Sequence, residues 1–252
     1  MDPIPWRRAW QQALYGPAGF YRGASGPAGH FSTAAQGLPG RVLAEALWRW
    51  ADRLGCEAII DVGAGRGELL GHLGDARPGH PLAGVDVVER PEGLTASTRW
   101  LVSPGGQGLP DELSGVTGTL VVAHEWLDVV PCTLAEVDGS GVPRELLVDP
   151  ETATSSLGEP LGGPELRWCE RFWPASRPGD RVEVGLARDL AWTGLLDRME
   201  SGAALAVDYG HRVGDRPRDG TFAAYRSGVR VRPTPDGSCD LTAHVAVDSL
   251  RH

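Results

Sequence analysis

One stretch constrains this chain more than any other. The apolar run Ala58-Ile59-Ile60-Asp61-Val62 leads into Gly63-Ala64-Gly65-Arg66-Gly67, with a helix-forming segment from Glu68 to Leu73 behind it. A short buried strand, a turn with glycine at every second position and then a helix form the first unit of an open α/β sheet. Ligands bind such sheets at the carboxyl edge. Leu82 to Val88 reads as a second strand and Gly118 to Ala123 as a third. Strand, helix and strand at these distances form a βαβ unit and imply a parallel sheet.

The rest of the chain frames that unit. Residues 6 to 14 read as a short helix, followed by Gly/Pro-rich aromatic loops at Tyr15-Gly16-Pro17, Gly19-Phe20-Tyr21 and Gly29-His30-Phe31. Val42, Leu43, Ala46, Leu47, Trp50 and Leu54 recur at helical spacing, and Gly55 supplies the stop. From Pro131 to Gly179 the texture turns to short β-prone pieces, Thr133 to Val137 and Glu145 to Val148, which suits an inserted hairpin. Val184 to Met199 reads as a helix with an apolar face of Leu186, Leu190, Trp192, Leu195 and Leu196. Ala203 to Val207 is a buried strand, and Thr221 to His252 holds two or three more. The expected organisation is an N-terminal segment over 1–55, a Rossmann-like domain over 56–130 and 180–252, and a β-rich insertion over 131–179.

Composition removes several functions. All 24 basic residues are arginine. Without lysine there is no P-loop phosphate lysine, no Schiff base to pyridoxal phosphate and no kinase strand lysine. A net charge of −9 argues against a nucleic-acid surface. Cys56, Cys132, Cys169 and Cys239 form no C-x-x-C pair, so neither a zinc site nor a disulfide framework is expected. No apolar leader and no membrane-length run is present, and the expected setting is the cytoplasm.

The glycine turn discriminates between ligands. A dinucleotide fingerprint, G-x-G-x-x-G, requires glycine at position 68, where this chain has Glu68. A carboxylate there repels a pyrophosphate. S-adenosylmethionine carries a sulfonium and an amine and no phosphate, so Asp61 and an acidic neighbourhood suit it. Asp86, at the end of the second strand, can accept both ribose hydroxyls, although dinucleotide sites use the same acid. The expected cofactor residues are Asp61, Gly63, Gly65, Gly67 and Asp86; the alternative is an ordinary βα loop.

After the third strand comes His124-Glu125-Trp126-Leu127-Asp128-Val129-Val130-Pro131. A helical turn there would set Glu125 and Asp128 on one side. Methyl transfer is an in-line displacement that mainly needs a positioned nucleophile, and paired carboxylates hold a guanidinium well. Glu125 and Asp128 are therefore the candidate catalytic residues. Otherwise Glu125 caps a helix and Trp126 and Leu127 fill the core. His124 is a candidate base or a simply hydrogen-bonded histidine.

Taken together, these residues resemble the MidA-like methyltransferases, which include the mitochondrial complex I assembly methyltransferase. The resemblance rests on Ala13-Leu14-Tyr15-Gly16-Pro17, Gly19-Phe20-Tyr21, Gly29-His30-Phe31-Ser32-Thr33, the glycine turn and the His124 to Pro131 loop. It extends through Val207-Asp208-Tyr209-Gly210-His211 and Asp240-Leu241-Thr242-Ala243-His244-Val245. It implies a class I methyltransferase sheet, mostly parallel with an antiparallel C-terminal hairpin and an inserted β subdomain. It also implies S-adenosyl-L-methionine as donor and a protein arginine side chain as acceptor. By position, Gly63, Gly65, Gly67 and Asp86 would hold the cofactor, with Glu125 and Asp128 on the acceptor side. The chain departs from the family at His124, where asparagine is usual, at His30, where aspartate is usual, and near Gln36, where glutamate is usual. Relatives also run on past the Leu-Thr-Ala-His-Val segment. A small-molecule methyltransferase with Tyr15, Phe20, Tyr21 and Phe31 as a lid, and a non-catalytic assembly factor, are the competing readings. Thr242 and His244 would share one strand face, either bordering the cleft or serving packing alone.

Overall fold

The computed structural model describes residues 2–23 and 33–251, so His30 and Phe31 lie outside the described residues. Two compact units divide the chain. One comprises Tyr21–Trp126 and Gly194–Asp208; the other comprises Met1–Phe20, Leu127–Thr193 and Tyr209–His252.

The first unit is built on a five-stranded, wholly parallel sheet. Its strands run in the order Gly202–Val207, Thr119–His124, Ala58–Val62, Leu82–Asp86 and Arg99–Val102. Every residue of the inner strand Thr119–His124 is buried, as a strand covered on both faces requires. Ile59, Leu120 and Val122 meet Leu69, Leu70 and Leu73 of the helix Glu68–Ala76 and Ala44, Leu47, Trp48 and Ala51 of the helix Gly37–Leu54 in one core. Trp48 also donates its indole N–H to the Leu73 carbonyl at 3.0 Å, tying the two helices together.

The helix Gly37–Leu54 is where the periodicity predicts, but its buried face differs. Val42 and Trp50 are 55% and 52% exposed. The contact face runs through Ala44, Leu47, Trp48 and Ala51, so the predicted Leu47 lies in the core while one flank of the predicted stripe faces solvent. The segment Val184 to Met199 likewise divides into a strand, Arg181–Val184, and a helix, Leu186–Leu196. Gly185 separates them, and a Cβ there would lie 2.6 Å from the Trp168 ring. The strand Arg99–Val102 escaped sequence reading, since an edge strand with one buried residue carries little apolar pattern.

The main sheet of the second unit is antiparallel. Pro143–Val148 pairs with Ile4–Pro5, Thr133–Val137 and Ser155–Pro160, and Thr133–Val137 pairs in turn with Arg181–Val184. The expected insertion hairpin is thus two strands of a five-stranded sheet. Its fifth strand, Ser155–Pro160, is mostly exposed and lacks alternation, which hides it from the sequence. The C-terminal hairpin is Ala223–Arg226 with Val229–Val231, and Asp240–Thr242 pairs with its other edge. Gly210–His211 runs parallel to Val245–Ala246, so the Asp-Tyr-Gly-His and Leu-Thr-Ala-His-Val segments meet in space. Trp168 and Cys169 of the helix Gly163–Phe172, with Trp173 at its C-terminal cap, pack on Ala135, Val182 and Val184. Tyr15 and Phe20 are buried, the Tyr15 hydroxyl donating to the Val129 carbonyl at 2.9 Å.

Candidate functional site

In the first unit the strand Ala58–Val62 delivers its last residues into a turn held in left-handed backbone. Gly63, Gly65 and Gly67 have φ of 79°, 59° and 82°. That region strains any residue with a Cβ, which explains the alternate glycines. Neighbours enforce it too. A Cβ at Gly63 would lie 3.1 Å from Trp126 Cβ, and one at Gly67 would lie 2.8 Å from a Leu94 methyl. The glycines therefore serve the chain's own packing, a role not visible in their spacing.

The turn's N–H groups do not point at an anion site. Gly63 and Ala64 donate to the Val85 carbonyl, and Gly67 donates to Ala64. Gly65 donates to Asp86 Oδ2 at 2.8 Å, and Arg66 donates to Glu68 Oε2 at 2.9 Å. Two carboxylates occupy the places a phosphate would take at such a turn.

The electrostatics follow from that arrangement. Asp61 is buried, and its Oδ1 has no hydrogen-bond partner among the described residues. Burial, and then the nearby charges of Asp86 and Glu68, push its pKa up to about 7. Burial also raises Asp86 to about 6, against the lowering effect of hydrogen bonds from the Gly65, Val87 and Val88 N–H groups. Such a cluster of acids around a glycine turn attracts cations and hydroxyl donors and repels phosphate. S-adenosylmethionine, with its sulfonium, its ammonium and its ribose diol, fits this donor set. A dinucleotide pyrophosphate does not.

Glu125 follows the strand Thr119–His124 and has φ of 51°, a left-handed conformation unusual for a residue with a side chain. Its N–H donates to the Val207 carbonyl at 2.9 Å, which carries the pairing with Gly202–Val207 one residue past the strand end. No helical turn forms here: residues 125 to 130 are bends and a turn. His124 is buried, and burial lowers its pKa, which favours the neutral ring. Its Nε2 stands 3.7 Å from Glu125 Oε1. Asp61, the three glycines, Asp86 and Glu125 all belong to this unit.

Asp128 belongs to the second unit and is only 6% exposed. Its Oδ2 accepts the Thr242 hydroxyl at 2.7 Å. Burial raises its pKa, against the lowering effects of that hydroxyl and of the Arg188 charge. Thr242 ends the strand Asp240–Thr242, while His244 lies beyond it and stacks on Tyr209 with centroids 6.1 Å apart. Arg188, on the helix Leu186–Leu196, was missed by sequence reading. Fully buried, it donates to the main-chain carbonyls of Asp128, Val130 and His244 at 2.8, 3.1 and 2.9 Å. Its place on the buried stripe with Ala187, Ala191 and Leu195 was the available signal, because an arginine at a core position needs several acceptors.

Residues 42–252 match the model of a family described as "Putative S-adenosyl-L-methionine-dependent methyltransferase". In three dimensions the chain is similar to two crystal structures of Burkholderia thailandensis proteins from one superfamily. The first, described as "uncharacterized", has a TM-score of 0.74 and 24% identity and covers 99% of this chain and 70% of its own. The second, described as a "likely methyl transferase" and bound to S-adenosyl-homocysteine, has a TM-score of 0.76 and 23% identity and covers 98% of this chain and 70% of its own. At these identities the likeness concerns the fold. No curated protein matches the sequence. The match over residues 42–252 makes this chain a member of that family of S-adenosyl-L-methionine-dependent methyltransferases, relatives of the MidA-like enzymes.

Proposed function

We propose that the chain binds S-adenosyl-L-methionine at the Asp61 to Gly67 turn and transfers its methyl group to a nitrogen acceptor, a protein arginine side chain. The observation that carries the cofactor half is the acidic turn itself. Its N–H groups are already bonded, two of them to Asp86 and Glu68, and Asp61 Oδ1 lacks a partner among the described residues. When bound, the donor supplies an electrophilic methyl on a sulfonium.

In this reading Asp86 accepts hydrogen bonds from ribose hydroxyls with the lone pairs that Gly65 and Val87 leave over. Asp61 accepts from a cationic group of the donor and thereby regains its own charge. Glu125 orients the acceptor nitrogen, and the neutral His124 beside it can take the proton that leaves with methylation. Asp128, buried against Thr242, acts as a positioning residue for its loop. A guanidinium acceptor fits an acid flanked by an uncharged base, because it is cationic and must lose a proton to be methylated. The small-molecule reading loses two of its lid aromatics, since Tyr15 and Phe20 are part of the core.

Calorimetry of S-adenosyl-L-methionine on the wild type and on Gly65→Val tests the cofactor half, with binding expected only for the wild type. Absence of wild-type binding ends the methyltransferase reading. Transfer of labelled methyl to arginine-containing protein, lost in Glu125→Gln, tests the acceptor half. Unchanged turnover and acceptor affinity in that variant would remove Glu125 from the chemistry, and bound cofactor without transfer would favour the assembly-factor reading.

A further inference from the structure

The second unit contains a cavity of about 350 Å³ that shares no residue with the glycine turn. That volume is in the range of small-ligand pockets. Its interior is apolar and aromatic, built from Trp6, Leu134, Leu146 and Phe222. The Trp6 and Phe222 rings meet edge to face at 5.1 Å. Trp6 gives its indole N–H to Ser155 Oγ at 2.9 Å, so the ring offers the cavity only carbon surface.

The polar lining has a bias in charge. Arg181, Arg230 and Arg232 all line the cavity. Arg181 bonds Glu136 through Nε, and Arg232 bonds the Ala153 carbonyl through Nη2, which leaves each with further N–H donors. The Arg230 guanidinium has no ion pair or hydrogen bond among the described residues. Two acids, Glu183 and Asp219, line the cavity beside the three arginines, which leaves the arginines in excess by one. Both Glu183 oxygens are already held, Oε1 by the Thr221 and Phe222 N–H groups and Oε2 by the Thr221 hydroxyl. Asp219, like the three arginines, is exposed to solvent at the rim. An apolar chamber fringed by guanidinium groups with donors to give matches a molecule with an aromatic body and one carboxylate, sulfonate or similar planar anion.

We propose that this cavity is a second ligand site, separate from the cofactor turn, for a small anionic molecule with an aromatic body. The probe is anilinonaphthalene sulfonate, followed by fluorescence on the full chain without cofactor, with uncharged phenylnaphthylamine as its counterpart. Both bind the wild type at one site, the anion more tightly. Arg230→Glu, at an exposed position, weakens the sulfonate about tenfold and leaves the uncharged probe unchanged. Thr154→Trp, which fills the exposed rim, weakens both. Unchanged near-ultraviolet circular dichroism shows that each variant is folded. Wild-type affinity of Thr154→Trp for either probe, equal loss of both probes in Arg230→Glu, or no binding by the wild type overturns the proposal. Because no cofactor is present, none of these outcomes bears on the methyltransferase reading.

Discussion

Arg188 Nη2 donates to the main-chain carbonyl of Asp128 at 2.8 Å, across 60 residues of sequence. The same guanidinium holds Val130 and His244 and lies over the Trp10 ring, 5.7 Å from its centroid. One side chain thus fixes the backbone of the acidic loop and of the Leu-Thr-Ala-His-Val segment together. Arg188→Met should cost about 3–5 kcal/mol, since it leaves buried carbonyls unsatisfied. Urea unfolding checks this, and a loss below about 1 kcal/mol would show that water replaces the guanidinium.

Asp61 predicts a pH dependence of stability in the ligand-free chain. Its pKa is raised, so the stability tied to the protonated form is fully present below the ordinary aspartate value of 3.8 and is lost as pH rises through about 7. The difference corresponds to about 4 kcal/mol at most. Asp86, raised to about 6, adds in the same direction. Denaturant titrations at pH 5 and pH 8 should find the wild type more stable at pH 5, with a smaller difference in Asp61→Asn. Identical slopes in the two proteins would rule out the shift at Asp61.

The same titration should govern cofactor affinity. If a cationic group of the donor pairs with ionised Asp61, binding strengthens as the pH rises through about 7. For a single proton the gain between pH 6 and pH 8 is about tenfold. Calorimetry at both pH values measures it. A flat profile, or one that persists in Asp61→Asn, assigns the cation to another group.

Alanine at two of the glycines separates strain from crowding. Both positions have positive φ, so each pays about 1–2 kcal/mol in backbone strain. At Gly65 the nearest atom is the movable Glu68 carboxylate at 3.2 Å, whereas at Gly67 the new Cβ would press on Leu94 at 2.8 Å. Gly67→Ala should therefore be the more destabilising by about 1 kcal/mol in chemical unfolding. Equal losses would mean that Leu94 moves aside freely.

Glu125 reports on whether its backbone is strained for function. At φ of 51° glycine is favoured over alanine, so Glu125→Gly should be more stable than Glu125→Ala by about 1 kcal/mol, with both losing transfer activity. Thermal unfolding of the pair decides it, and the reverse order would contradict the strained geometry.

The parallel sheet was legible because its central strands are continuous apolar runs and its turn requires glycine at fixed positions. Glu68 carried the choice of ligand correctly for a local reason: a helix N-terminus cannot hold its own carboxylate and a phosphate equally. What escaped was set by distant partners. Val42 and Trp50 carry a helical pattern but face outward, because the helix turns its Ala44, Leu47, Trp48 and Ala51 face to the core. The turn at Asp128, the burial of its carboxylate under Thr242, and the part played by Arg188 all depend on pairings 60 to 114 residues away. No local periodicity encodes these.

The bond from Gly65 to Asp86 has a kinetic consequence. A turn cross-linked to the neighbouring strand before any ligand arrives has little ordering left to do at the moment of encounter. Association should therefore run as a single concentration-dependent phase with no slower step behind it, and Asp86→Ala should introduce a lag as the released turn searches for its bound shape.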